Sequence, residues 1–202
     1  MNSLIIVLLL GLASITGPVV LASPGAILVV GDSLSAAYQM PQKAGWVNLL
    51  QEKLGSRRII INASISGETT AGARHSLSGL LTRHQPGIVV LAIGANDGLR
   101  GHTPGAIENN LRAMVRAAQK SGASVLLVGM GIPANYGPAY RKAFQGIYSD
   151  LAATLSVTLL PSLFDDIFLR PGLLQADGIH PNQKAQRLIC DTILQALQPL
   201  LQ

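Results

Sequence analysis

A serine, a histidine and an aspartate in this sequence have the side-chain types that acyl transfer requires. Ser33 lies in Gly31-Asp32-Ser33-Leu34-Ser35, directly after an apolar run. Its hydroxyl is a weak nucleophile until a base removes the proton. His180, in Asp177-Gly178-Ile179-His180-Pro181, has the chemistry of that base. Asp177 comes three residues earlier, near enough on one tight turn to hold the imidazole in the tautomer that accepts the serine proton. Gly178 permits the bend, and Pro181 is expected to start the helix behind it. A tetrahedral intermediate also needs donors aimed at its oxyanion. The Ser33 backbone N–H, the Gly67 backbone N–H and the Asn96 side-chain amide are suited to that role.

Taken singly, each signal has a simpler reading. A serine after a strand commonly caps a helix, while Asn96-Asp97-Gly98 and Asp177-Gly178 both read as turns. Their weight comes from the elements that carry them. Ala26–Val30, Ile59–Asn62, Ile88–Ile93, Ser124–Gly129 and Val157–Leu160 are short, nearly continuous apolar runs, as strands covered on both faces are. Helical patterns fall between and after them: Gly45–Leu54, Thr70–Leu81, Pro104–Lys120, Tyr140–Leu155 and about Pro181–Leu197. In Pro104–Lys120, Thr103 can cap and Pro104 suits the first helical position. Ile107, Leu111, Met114, Val115 and Ala118 share one face, and Glu108 and Arg112 are spaced as a favourable pair on another. Strand–helix alternation predicts one α/β domain with a parallel sheet between two helical layers. Ligands of open α/β sheets bind beyond the carboxyl ends of the strands. Ser33, Gly67, Asn96 and the Asp177/His180 pair all follow predicted strands and so fall on that edge.

These blocks resemble the SGNH (GDSL) hydrolase family. The resemblance is carried by Gly31-Asp32-Ser33-Leu34-Ser35, Gly67, Gly94-Ala95-Asn96-Asp97 and Asp177-Gly178-Ile179-His180-Pro181, in that order. Tyr38-Gln39-Met40-Pro41 and Ala44-Gly45-Trp46 resemble the continuation of the first block in the bacterial arylesterase, thioesterase and lysophospholipase group. Glu68 stands where Asp is frequent in that group. The resemblance implies a flavodoxin-like three-layer α/β/α sandwich with a five-stranded parallel sheet, and neither metal nor cofactor. It implies catalytic Ser33, Asp177 and His180, with Ser33, Gly67 and Asn96 as the oxyanion hole. The expected activity is hydrolysis of aryl esters, acyl thioesters and lysophospholipids through an acyl-serine intermediate. The alternatives are a carbohydrate O-acetylesterase on the same fold, or a non-catalytic envelope binding protein.

Composition limits the other classes. Of 202 residues, 49% are hydrophobic and 12% charged, which excludes a disordered chain. One cysteine excludes a disulfide framework within the chain. The net charge of +5 permits anionic partners without naming one. Arg112, Arg116 and Lys120 read as a solvated helix face, and no nucleic-acid partner is expected. Residues 1–22 read as a secretory signal cleaved after Ala22, leaving a hydrolase domain over 23–202 and a periplasmic or secreted monomer. No Lys or Arg precedes the apolar run, so an uncleaved N-terminal membrane anchor is the alternative. Transient contact with membrane lipid substrates is compatible with either.

Other signals are set aside. Gly129-Met130-Gly131-Ile132-Pro133-Ala134 only superficially fits a dinucleotide fingerprint, because Pro133 interrupts the expected helix start. Asp165-Asp166 reads as a surface turn, Cys190 as packed in the last helix, and His75, His84 and His102 as surface or packing residues. For the acyl chain, Leu99 and Ile132 are the expected groove residues. Gly98 and Gly101 are expected to let the segment Gly98–Thr103 close over it.

Overall fold

The computed structural model describes residues 25–163, 165–168 and 170–202. The signal and cleavage expected over residues 1–22 lie outside the described residues. Five strands form one all-parallel sheet: β1 (Ile27–Gly31), β2 (Ile60–Asn62), β3 (Ile88–Ala92), β4 (Ser124–Val128) and β5 (Thr158–Leu160). Their spatial order is β2-β1-β3-β4-β5. Ile27 pairs with Ile60 on one side and with Ile88 on the other, which sets β1 between β2 and the central strand β3. Every residue of β1 and β3 is buried. The edge strands β2 and β5 are three residues long and are not fully covered. The expectation of runs buried on both faces therefore holds at the centre and fails at the edges, where only one neighbour is available.

The helices are α1 (Trp46–Leu54), α2 (Thr70–His84), α3 (Ala95–Leu99), α4 (Pro104–Lys120), α5 (Pro138–Leu155), α6 (Asp165–Phe168) and α7 (Gln183–Leu197). They cover both sides of the sheet, with α1 packed on α7, and α4 between α2 and α5. Helix α4 has the predicted bounds. The Ala106 N–H donates to the Thr103 hydroxyl at 3.4 Å, Pro104 occupies the first turn, and the five predicted apolar residues are buried. Arg112 donates to Glu108.

Three local expectations change. Helix α7 starts at Gln183 rather than Pro181, because Asn182 is the cap and accepts from the N–H groups of Lys184 and Ala185. Pro181 instead forms an antiparallel bridge with Leu174. Asp165 and Asp166 open the short helix α6 instead of a turn. Asn96-Asp97-Gly98 is likewise helical, within α3. Cys190 is buried in α7, and burial pushes its thiol up to about 11.

Candidate active site

The carboxyl ends of β1 and β3 set the floor of the site. The chain leaves β1 at Gly31 and turns at once, with the Ser35 and Ala36 N–H groups donating to the Asp32 carbonyl. That turn leaves Ser33 half-buried while Asp32 is fully buried. The next residues form a constrained loop in which Ala37 (φ 54°) and Gln39 (φ 53°) are both left-handed. Such non-glycine conformations are locally unfavourable and need support from their surroundings. Here the Gln175 side-chain amide donates to the Tyr38 carbonyl at 3.0 Å. The loop thereby places the Tyr38 ring against the His180 imidazole, centroids 4.4 Å apart and tilted by 35°.

The Asp177–His180 turn is fastened separately. Gly178 has φ +68°, a left-handed conformation that a side chain would resist. The Gln175 N–H donates to the His180 carbonyl at 2.8 Å, and the Gly178 N–H to the Gln175 carbonyl at 3.1 Å. Asn182 donates its amide to the carbonyls of Gly172 and Leu174. One Asp177 oxygen accepts from the N–H groups of Ile179 and His180 at 2.9 and 3.0 Å. The other lies 2.7 Å from His180 Nδ1. These bonds, led by the His180 and Ile179 N–H groups and joined by the imidazole, lower the Asp177 pKa from 3.8 to about 2. An ionised Asp177 accepts Nδ1–H, which leaves the Nε2 lone pair free. That nitrogen is 3.0 Å from Ser33 Oγ. The structure therefore brings Ser33 to the Asp177–His180 pair, which is distant from it in sequence, in a geometry suited to proton transfer from the hydroxyl.

The three donors for an oxyanion are placed less uniformly. The backbone N–H groups of Ser33 and Gly67 have no protein acceptor among the described residues. Asn96 shares one cleft with Ser33 and His180. Its amide nitrogen donates to the Glu68 carbonyl at 2.9 Å and lies 3.4 Å from Asp32 Oδ2. The first bond fixes the amide plane. The second is long, so that hydrogen is only weakly engaged and open to a better acceptor. Gly67 is not on the cleft lining, although its carbonyl accepts from Arg100 at 3.1 Å.

Asp32 has a weight in the site that its place in the sequence did not convey. Desolvation by burial raises its pKa from 3.8 to about 6, opposed by the Leu34 N–H and by His180. Its Oδ1 accepts from Leu34 N–H at 3.0 Å. A carboxyl group between two apolar elements, in a chain with 10 acidic residues, was the available signal. Tyr38 and Gln175 carried no comparable signal, since their roles depend on a contact across about 140 residues of chain.

The cleft has a volume of about 610 Å³. Leu99 and Ile132 both line it, together with Leu34, Pro133 and Ile179. Of the two glycines expected to free Gly98–Thr103, Gly101 is left-handed (φ +70°) with open space around it, but Gly98 is not free. Gly98 is helical and buried; a Cβ there would fall 2.6 Å from Ile132 Cγ2 and 2.9 Å from Phe144 Cε2. Its role is close packing. The hydroxyls of Tyr136 and Tyr140 donate to the Leu99 and His102 carbonyls, each at 2.6 Å, and fasten the segment. His102 also has a partner, Asp97, with Nδ1 at 3.3 Å from Oδ1. Among the described residues, no group of three or more His, Cys, Asp or Glu side chains is arranged to hold a metal ion.

Known proteins resemble both the sequence and the fold. The chain is 43% identical over 180 residues to "Thioesterase 1/protease 1/lysophospholipase L1" of Escherichia coli, spanning 89% of this chain and 86% of that one. It is 42% identical over 183 residues to "Esterase TesA" of Pseudomonas aeruginosa, spanning 89% and 91%. The crystal structure of the psychrotrophic esterase EstA from Pseudoalteromonas sp., inhibited by monoethylphosphonate, superposes with a TM-score of 0.84. It has 40% identity and covers 88% of this chain and 98% of that one. Residues 29–188 match the GDSL-like lipase/acylhydrolase family, to which this chain belongs.

Proposed function

We propose that this protein is a serine esterase that hydrolyses carboxylic esters and thioesters through an acyl-serine intermediate. The observation that carries the reading is the continuous relay Ser33 Oγ to His180 Nε2 at 3.0 Å and His180 Nδ1 to Asp177 Oδ2 at 2.7 Å. His180 takes the Ser33 proton as Oγ attacks the acyl carbon. The developing oxyanion is met by the Ser33 and Gly67 N–H groups and by the Asn96 amide hydrogen now directed weakly at Asp32. The protonated imidazole then donates to the departing alcohol or thiol. A water, deprotonated by the same nitrogen, releases the acid and restores Ser33. Asp177 keeps the imidazole in one tautomer and stabilises its protonated form. The esterase and thioesterase names of the relatives support ester and thioester substrates. The apolar side chains of Leu99 and Ile132 suit the acyl chain.

The N-terminal apolar run supports export to the periplasm after cleavage behind Ala22. No helix among the described residues is long and apolar enough to cross a membrane. Mass spectrometry of the exported chain tests this, with a terminus at Ser23 expected and an intact Met1 against it.

The function is tested by labelling with a fluorophosphonate and by turnover of matched aryl esters, thioesters and lysophospholipids. Stoichiometric modification of Ser33 is expected, lost in Ser33→Ala with the fold retained. Turnover by Ser33→Ala near the parent rate would defeat the assignment.

A further inference from the structure

The cleft that holds Ser33 and His180 also holds a cation that the acyl-transfer steps do not use. Arg141 lies on its wall, on the first turns of α5, and is the only lysine or arginine among the described residues lining the cleft. Its neighbours on that wall, Ile132, Pro133 and Ala134, are apolar or carry no side-chain charge. Arg141 Nε donates to the Ile132 carbonyl at 3.2 Å. That bond uses one of the five guanidinium donors and fixes the plane of the group. Among the described residues, no carboxylate forms an ion pair with it.

Two ordinary reasons for an arginine are absent here. Among the described residues it does not neutralise an acidic neighbour. It does not support its helix either, because a cation near a helix N-terminus opposes the helix dipole. What remains is a planar, oriented donor with four N–H groups unassigned, half-buried beside an apolar channel. Such a group matches the two oxygens of a carboxylate or phosphate.

We propose that Arg141 is an anion-recognition subsite of this cleft, selecting ester substrates that carry a carboxylate or phosphate away from the scissile bond. The inference rests on the acyl-transfer reading of the cleft and adds a substrate class to it. Apolar contacts at Leu99 and Ile132 would bind the chain, and Arg141 would bind its charged group. A neutral ester gains only the first.

The test uses two matched substrate pairs, because the anion can sit on either side of the scissile bond. On the acyl side, a p-nitrophenyl hexanoate is compared with the p-nitrophenyl half-ester of adipic acid. On the leaving-group side, a monoacylglycerol is compared with the corresponding monoacylglycerol phosphate. Assays at about 0.15 M salt screen long-range steering by the net positive charge. For each pair the readout is the ratio of kcat/KM on the anionic to the neutral ester, in the parent protein and in Arg141→Gln, Arg141→Lys and Arg141→Glu. The ratio is expected to fall at least tenfold in Arg141→Gln for one pair, further in Arg141→Glu, and less in Arg141→Lys; the pair affected identifies where the anion sits. A smaller fall in both pairs overturns the proposal. Failure of the parent protein to turn over the neutral esters would instead defeat the hydrolase reading, so the two failures are distinguishable.

Discussion

Asp97 accepts both the backbone N–H of Thr70 at 2.8 Å and its hydroxyl at 2.6 Å. One buried carboxylate thus ties the first residue of α2, which follows the Gly67 turn, to α3, which carries Asn96. Two of the three proposed oxyanion donors are set relative to one another through this pair. Asp97→Ala would leave a buried Thr70 N–H without its acceptor, at a cost of roughly 1–3 kcal/mol. We expect a lower urea midpoint and a fall in kcat that exceeds any change in KM. Unchanged kcat in a folded variant would show that the donors are positioned independently of the clamp.

Asn96→Ala removes one proposed oxyanion donor. The expected loss is about 10²–10³ in kcat with a smaller effect on KM. Steady-state kinetics on a fast aryl ester checks it. A rise in KM alone would make Asn96 a ground-state contact.

Leu99→Ala and Ile132→Ala should lower kcat/KM for long acyl esters more than for acetyl esters. A buried methylene contributes about 0.8 kcal/mol, so the selectivity change grows with each carbon that loses contact. The measurement is one acyl series with a fixed leaving group. Ile132 also packs near Gly98, so the variant's melting temperature is measured alongside. Equal losses at every chain length would place both side chains outside the groove.

Asp32 makes stability depend on pH. Its carboxyl is held at about 6 in the fold against an ordinary 3.8. Between those values the native chain keeps a proton that the unfolded chain has released. Stability therefore falls as pH rises from about 4 to about 6, by on the order of 3 kcal/mol. Asp177 acts in the other direction and lower: its contribution is present above 3.8 and is lost as pH falls towards about 2. Asp32→Asn should remove most of the decline between pH 4 and 6, measured as urea unfolding free energies at pH about 4 and about 7. A decline of the same size in the variant would assign it to other groups.

The candidate residues of this site were legible in the sequence because they are marked by residue type and by strand ends. Ser33, Asn96, Asp177 and His180 each follow an apolar run or close a short turn, and a parallel sheet collects such positions on one edge. Helix α4 was legible to the residue, since its cap, its proline and its apolar face are all local. The supports of the site were not. Tyr38 meets His180, and Gln175 bonds the Tyr38 carbonyl, only because two loops from opposite ends of the chain converge. Gly98 looked like a hinge because a glycine frees the backbone; Ile132 and Phe144, brought in from later elements, make it a packing position. Sequence by itself determined which side-chain types are available for acyl transfer and which edge they occupy. Tertiary structure decided which of them are buried, which are pinned and which face the cleft, because desolvation and long-range contacts exist only once the layers have closed.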